Sequence, residues 1–149
     1  MQLIWTEQLS VGNLIVDTEH RNLMNLVNDI EDAIRGGRSP ALVRAFGLLE
    51  QFLTVHFEHE EEIARAIKFP FNQLKLAQQY SLKELQLMRD ELVVRDGILS
   101  DGAVKHFSQS LKNWMIDDHI IKRDMLMKPV LQTLDYNFWP GLNDEAGRG

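Results

Sequence analysis

The sequence of 149 residues contains no cysteine, which excludes disulfide bonds and thiolate metal sites. It also lacks any run near the roughly 20 apolar residues of a membrane-spanning helix, so we expect no membrane partner. Lys and Arg never cluster without interleaved acids, and the net charge is -6, so nucleic acid is not an expected partner. The N-terminus lacks the basic region of a secretory signal. Together with the missing cysteine, this predicts a cytoplasmic protein.

What the sequence does contain is helical periodicity, interrupted by Gly and Pro. Apolar residues recur at steps of three and four in four segments, and short connections between them make neighbours antiparallel. The prediction is therefore an all-α protein, an up-down-up-down antiparallel four-helix bundle forming one domain over 1–149. Its expected parts are an irregular N-terminal arm at 1–17, helices at about 18–35, 40–66, 71–94 and 101–125, and a C-terminal extension at 129–149.

Capping residues and glycines predict where two of these helices begin and end. Asp17 is the predicted N-cap of the first helix, and Gly36 with Gly37 is expected to end it. Ser39 is the predicted N-cap of the second helix. The apolar stripe of that helix is expected to bury Phe52, and the stripe of the third helix is expected to bury Leu74 and Gln78.

Five residues on three of these helices have side chains that bind metals without sulfur: His20, His56, Glu60, His119 and Asp124. Counting about 1.5 Å of rise per residue along antiparallel helices places them at one level of the core, where the third helix carries Lys75 and Gln79. Carboxylates buried there need a compensating cation, and histidines beside them make a metal the natural one. Imidazole and carboxylate suit iron, manganese or zinc, so the pattern predicts a present or ancestral metal site.

Each of these residues also has a purely structural explanation when taken alone. A single His on an apolar helical face is usually a core residue with a hydrogen-bond partner, and an isolated Glu usually reaches solvent or a partner. It is their common level that favours a site. His59 and His106 do not share it, so His59 is expected at the flank of the bundle and His106 at the surface.

Three motifs stand out together. They are WTEQLSVGNLIVDTEH, ending at His20; HFEHEE from His56, followed by Phe69 and Pro70; and LKNWMIDDHIIKRD, containing His119 and Asp124. In these motifs the chain resembles the hemerythrin family, in its bacteriohemerythrin-like form. The resemblance extends from about residue 5 to residue 125. It implies a four-helix bundle around a non-haem di-iron centre that binds O2.

The resemblance also implies a role for each residue. His20 and His56 would bind the iron that keeps an open position for O2, with Glu60 and Asp124 bridging to the second iron. His119 would serve that second iron with two histidines of the third helix. Counted from Pro70, those two places hold Lys75 and Gln79, so the second-iron site is expected to be degenerate.

A lysine in a ligand's place suggests one specific hypothesis. The Lys75 ammonium has no lone pair, but its charge can replace that of a missing metal if it reaches Glu60 and Asp124. Gln79 and His119 would then hydrogen bond around it, leaving one metal ion. Two alternatives remain: Lys75 points to solvent beside a weak or empty site, or two ions bind with weak second-site donors.

The expected function is therefore that of a hemerythrin-like non-haem metal protein, holding one iron ion rather than two, with zinc or manganese as possible substitutes. It would sense or bind O2, nitric oxide or peroxide, while ordinary O2 carriage is not expected because that function uses both irons. No catalytic residue is predicted. The alternatives are a mononuclear iron enzyme that activates O2 or peroxide, and a metal-free interaction module. The module would use the tail aromatics Tyr136, Phe138 and Trp139.

Overall fold

A computed structural model describes residues 2–37, 39–95 and 98–140. These residues form helices and no strand, and the long helices pack as the predicted four-helix bundle. No helix in these ranges combines the length and the apolar character that crossing a bilayer demands. The long helices are α1 (Leu14–Gly36), α2 (Ser39–Ala66), α3 (Phe71–Val94) and α4 (Asp101–Lys112). A π-helix (Asn113–Ile121), a 3-10 helix (Asp124–Met127) and α5 (Lys128–Leu131) follow, and a 3-10 turn (Glu7–Leu9) lies in the arm.

The first helix begins earlier than predicted. Its N-cap is Asn13, whose side-chain oxygen accepts hydrogen bonds from the backbone N–H groups of Ile15 and Val16. Asp17 is thus wrong as the N-cap and lies in the first turn, fully buried. The predicted end is confirmed, because Gly37 adopts the left-handed conformation at φ 63° after Gly36. Helix α2 does begin at Ser39, but the capping role of that side chain lies outside the described residues.

Asp17 instead joins the N-terminal arm to the C-terminal tail. Its carboxylate accepts hydrogen bonds from the Val11 backbone N–H at 2.9 Å, Ser10 Oγ at 2.5 Å and Tyr136 Oη at 2.8 Å. Burial and this bond to the carboxylate raise the pKa of Tyr136 to about 12. The described part of the tail therefore packs against the start of α1, while residues 141–149 lie outside the described residues.

The fourth helical segment departs from the predicted continuous helix over 101–125. The α-helix ends at Lys112 and the backbone continues as a π-helix, which has i to i+5 hydrogen bonds. Trp114 and His119 are five residues apart and would lie about 140° apart around an α-helix. In the wider π-helix both side chains are buried, each 1% exposed. The π segment thus turns His119 into the core.

The apolar core otherwise follows the periodicity of the sequence, with one exception on α2. Phe52 is 49% exposed, so the prediction that it is buried is wrong. Consecutive helical residues lie about 100° apart, and the neighbouring Leu53, which is fully buried, takes the inward position.

Candidate metal centre

The five predicted metal-binding residues meet at one place in the core. None is more than 1% exposed, and one donor atom from each lies within 4.8 Å of all the others. Helix α1 contributes His20, α2 contributes His56 and Glu60 one turn apart, and the π segment contributes His119. Asp124 begins the 3-10 helix that follows. The structure therefore brings together every residue of the predicted ligand set.

The three imidazoles point the same kind of atom toward the centre. His119 Nε2 lies 3.0 Å from His56 Nε2 and 3.2 Å from His20 Nε2. Asp124 Oδ2 lies 2.6 Å from His20 Nε2 and 3.0 Å from His119 Nε2. Glu60 Oε1 completes the group, in contact with His56 Nε2 and 3.5 Å from His119 Nε2.

These separations fit a shared ion better than a hydrogen-bond network. Donors about 2.1 Å from one metal lie about 3.0 Å apart along the edges of an octahedron. Glu60 Oε1 is buried and makes no regular hydrogen bond among the described residues, although it contacts the imidazole nitrogens of His56 and His119. A buried carboxylate oxygen without a partner is costly, and a cation would remove that cost. The donor set and its geometry therefore fit a metal ion.

The electrostatics of the cluster balance two carboxylates against protonated imidazoles. Burial lowers the pKa of His56, but the Glu60 charge and hydrogen bonds to Asp124 and Glu19 raise it well above 6.5. Burial also opposes protonation of His20, whose pKa is nevertheless raised by Asp124 and Glu60. Burial prevails at His119 and lowers its pKa. Burial would raise the pKa of Asp124, but the charge and hydrogen bonds of its histidine neighbours, chiefly His119, hold it well below 3.8.

Two further side chains support the cluster: Gln78, which the apolar stripe of the third helix correctly placed inside the bundle, and Glu19, which the sequence analysis did not identify. Gln78 of α3 donates a hydrogen bond from Nε2 to Glu60 Oε2 at 2.7 Å. Glu19 of α1 accepts one from His56 Nδ1 at 2.9 Å and also contacts His59. The signal for Gln78 is its place one turn after Leu74 on the apolar stripe, whereas Glu19 has only its place directly before the first histidine.

The two positions predicted from the third helix lie outside the cluster. Lys75 and Gln79 are exposed and line a surface cleft of about 200 Å³ between α2 and α3. The hypothesis that Lys75 reaches the carboxylates is therefore wrong, because its side chain lies at the surface. The weak or empty site that was expected beside a solvent-facing lysine stays a prediction. Leu74 and Gln78 face the core instead, each 5% exposed. The count from Pro70 was thus off by one residue, which is a rotation of about 100°, whereas the apolar stripe had placed Leu74 and Gln78 correctly.

The other two histidines lie where the sequence placed them. His106 is exposed on α4. His59 is at the flank, 32% exposed, with its ring edge against Trp139 at 5.3 Å between ring centroids. Neither belongs to the group of donors.

The fold and this cluster define a helical-bundle protein with a buried set of histidines and carboxylates that can hold a metal ion. The chain is similar to bacteriohemerythrins. It is 24% identical to that of Pseudomonas aeruginosa (strain PAO1) over 70 residues, which are 47% of this chain and 46% of the relative. For that of Stenotrophomonas maltophilia the identity is 25% over 69 residues, 46% and 45% of the two chains.

The chain thus aligns with about half the length of the curated relatives it matches. No protein-family profile matches it, and no solved structure does. The relatives support a hemerythrin-like character for this helical protein.

Proposed function

We propose that this protein is a hemerythrin-like metal protein that holds one iron ion and binds or senses O2, nitric oxide or a related small ligand. One observation carries the proposal: three Nε2 atoms and two carboxylate oxygens from four helical elements meet within 4.8 Å in a fully buried place. Such a gathering of acids and imidazoles in a core is costly without a cation.

Helix α3 supports the assignment of one ion rather than two. A second ion needs donors of its own, and in hemerythrin-like sites the third helix supplies histidines. Here its two core-facing positions at this level are Leu74, which has no donor atom, and Gln78, which turns its NH2 group toward Glu60. The described residues of α3 contain no histidine, aspartate or glutamate directed at the cluster. All five donors are therefore available to a single ion.

Three imidazoles and two carboxylates are also a suitable environment for iron. This donor set without sulfur accepts iron, manganese or zinc. Five protein donors leave one position of an octahedron, at which bound iron would supply reversible binding of a small ligand. The surrounding residues hold the donors, exclude bulk water and fix the orientation of the carboxylates.

The other two candidate functions have less support from the structure. A metal-free interaction module was suggested by the tail aromatics, but Phe138 is only 9% exposed and Trp139 packs on His59. Tyr136 is half-exposed, but its hydroxyl donates to Asp17. For an iron enzyme, the cleft between α2 and α3 is lined by Gln78 and Phe57, but none of the five donor residues lines it.

Metal analysis of protein purified after iron supplementation tests the proposal. We expect about one iron per chain and an absorption change when the reduced protein meets O2, nitric oxide or azide. About two irons with intense oxo-to-iron bands would overturn the single-ion assignment. Failure to bind iron, manganese or zinc at all would overturn metal binding itself.

A further inference from the structure

The ring nitrogen that faces away from the cluster, Nδ1, has a hydrogen-bond partner in His56 but, among the described residues, none in the other two histidines of the cluster. His56 Nδ1 donates to Glu19 Oε1 at 2.9 Å. The Nδ1 atoms of His20 and His119 are buried and have no hydrogen-bond partner among the described residues. Among the described residues, His56 is thus the one of the three imidazoles whose Nδ1 is bound by a carboxylate, which orients the ring from the side away from the cluster.

Glu19 is itself held from its other side. Its Oε2 lies 2.5 Å from His59 Nδ1, and the His59 ring packs edge-on against Trp139 of the tail. Glu19 is 20% exposed, at the border between the core and the flank of the bundle. Both of its oxygens are therefore engaged, one by a member of the cluster and one by a histidine outside it.

The position of the His56 proton decides whether this residue can bind a metal. A neutral imidazole has one N–H, and only the nitrogen without it offers a lone pair. Glu60 contacts Nε2 and attracts a proton to that atom, which would block the lone pair. Glu19 attracts the proton to Nδ1 and leaves Nε2 free toward the other donors. Two carboxylates thus compete for the ring, and Glu19 favours the tautomer that binds metal.

We propose that Glu19 is a positioning residue for metal binding, which fixes His56 with its proton on Nδ1 and is itself fixed by His59. This inference rests on the proposed function, since it assumes that the cluster binds a metal. It adds a residue that does not touch the metal but sets the affinity for it. Outer carboxylates of this kind typically contribute 10- to 100-fold to metal affinity.

The affinity test uses Zn(II) and Co(II) with the full chain, by competition against a chelating indicator. For Glu19→Ala we expect a dissociation constant roughly 10 to 100 times larger than that of the wild type. Glu19→Gln should lose less, because its amide oxygen still accepts from Nδ1–H. His59→Asn should lose less than Glu19→Ala, because it removes only the support of Glu19. Glu62→Ala, at an exposed carboxylate of α2, is the matched control and should bind as the wild type does.

A spectroscopic measurement separates positioning from general damage to the fold. In the Co(II) protein the His56 Nδ1 proton gives a paramagnetically shifted signal that exchanges with water. We expect this signal to exchange faster in Glu19→Ala and to remain slow in Glu62→Ala. If folded Glu19→Ala matched the wild type in both affinity and exchange, the inference would be wrong. If that variant does not fold, unchanged affinity in both Glu19→Gln and His59→Asn has the same meaning.

Failure of the proposed function can be distinguished from failure of this inference. Wild-type protein that binds none of the metals would overturn the proposed function. The tautomer is then measured without metal, by 15N NMR of the imidazoles at a pH where His56 is neutral. The inference expects Nδ1–H in the wild type and a shift toward Nε2–H in Glu19→Ala. The same tautomer in both proteins would contradict it.

Discussion

The two sides of the bundle core differ sharply at the level of the cluster. On one side, α1, α2 and the segment that follows α4 contribute five buried donors: His20, His56, Glu60, His119 and Asp124. On the other side, α3 contributes Leu74 and the amide of Gln78, and its Lys75 lies at the surface. Under the proposed function, this difference means that one helix sets the number of metal ions while the other three supply all the donors of one site. The predictions below test it by removing a donor, by adding donors to α3, by removing the hydrogen bond from Gln78 to Glu60, and by changing the protonation of the cluster with pH.

Removing one of the five donors should have the largest effect on metal affinity. We expect His119→Ala to weaken iron or zinc binding by more than the roughly 100-fold that outer-shell changes reach. The matched control is His106→Ala, which removes an exposed histidine from α4 and should leave the dissociation constant unchanged. Competition titration gives both values. Wild-type affinity in His119→Ala would show that the cluster is not the metal site.

Adding donors to helix α3 should change the number of metal ions that the protein binds. The double change Leu74→His with Gln78→His places two imidazoles on the core-facing side of α3, and we expect about two irons per chain and new oxo-to-iron bands. The control, Lys75→His with Gln79→His, places the same side chains at exposed positions and should leave about one. Elemental analysis and absorption spectra decide. A gain in the control alone would mean that the register of α3 is not the one described.

Removing the hydrogen bond between Gln78 and Glu60 should have a smaller effect on metal affinity. Gln78→Leu removes the donor to Glu60 Oε2 and leaves that buried oxygen without its 2.7 Å partner. We expect metal affinity to fall about tenfold and the free energy of unfolding of the metal-free protein to fall by about 1–3 kcal/mol. Gln79→Leu is the exposed control, and both values should stay at those of the wild type. Equal effects of the two changes would contradict a specific role for Gln78.

The smallest expected effect is a dependence of stability on pH in the metal-free protein. The pKa values of His20 and His56 are raised above 6.5, so their contribution is complete below pH 6.5 and is lost as pH rises through the raised values. The lowered pKa of His119 acts in the opposite direction, because stability falls as pH drops below 6.5. The lowered pKa of Asp124 costs further stability below about pH 3.8.

We therefore expect the free energy of unfolding of the metal-free protein to be greatest near pH 6.5, measured by urea unfolding across a pH series. Metal binding should reverse the slope above pH 6.5, because the imidazoles must release their protons to the solution before they can bind the metal. Stability that rises steadily from pH 6.5 to pH 9 without metal would contradict the protonated pairing of His20 and His56 with the carboxylates.

Much of the molecule could be predicted because it depends on local or periodic signals. Apolar residues that recur every three or four positions predicted the bundle. Gly37 predicted the end of α1, because a residue in the left-handed conformation ends a helix. The donors could be predicted as a group because rise per residue is constant, so counting through short loops gives their level. The height of a side chain along the bundle can be predicted even with an error of one residue, because such an error moves the side chain by only about 1.5 Å.

The direction of a side chain around the helix axis cannot be predicted with an error of one residue, because that error rotates it by about 100°. The turn between α2 and α3 includes Lys68 in the left-handed conformation at φ 57°, and α3 begins at Phe71 in a register that puts Gln78 inside and Gln79 outside. Counting from Pro70 could not supply this rotation, because it is set by how the turn is closed and by packing on α2. The π segment is a similar case, since a search for a period of 3.6 residues assumes the α-helical geometry that this segment abandons.

The sequence by itself thus determined the four helices and the common level of the five buried histidines and carboxylates, because these follow from spacing along single helices. Only the tertiary structure decided that Gln78 rather than Lys75 meets Glu60, and that Glu19 contacts both His56 and His59. Those outcomes depend on angles between elements that are distant in the sequence, and a difference of about 100° decides between a residue of the core and one in water.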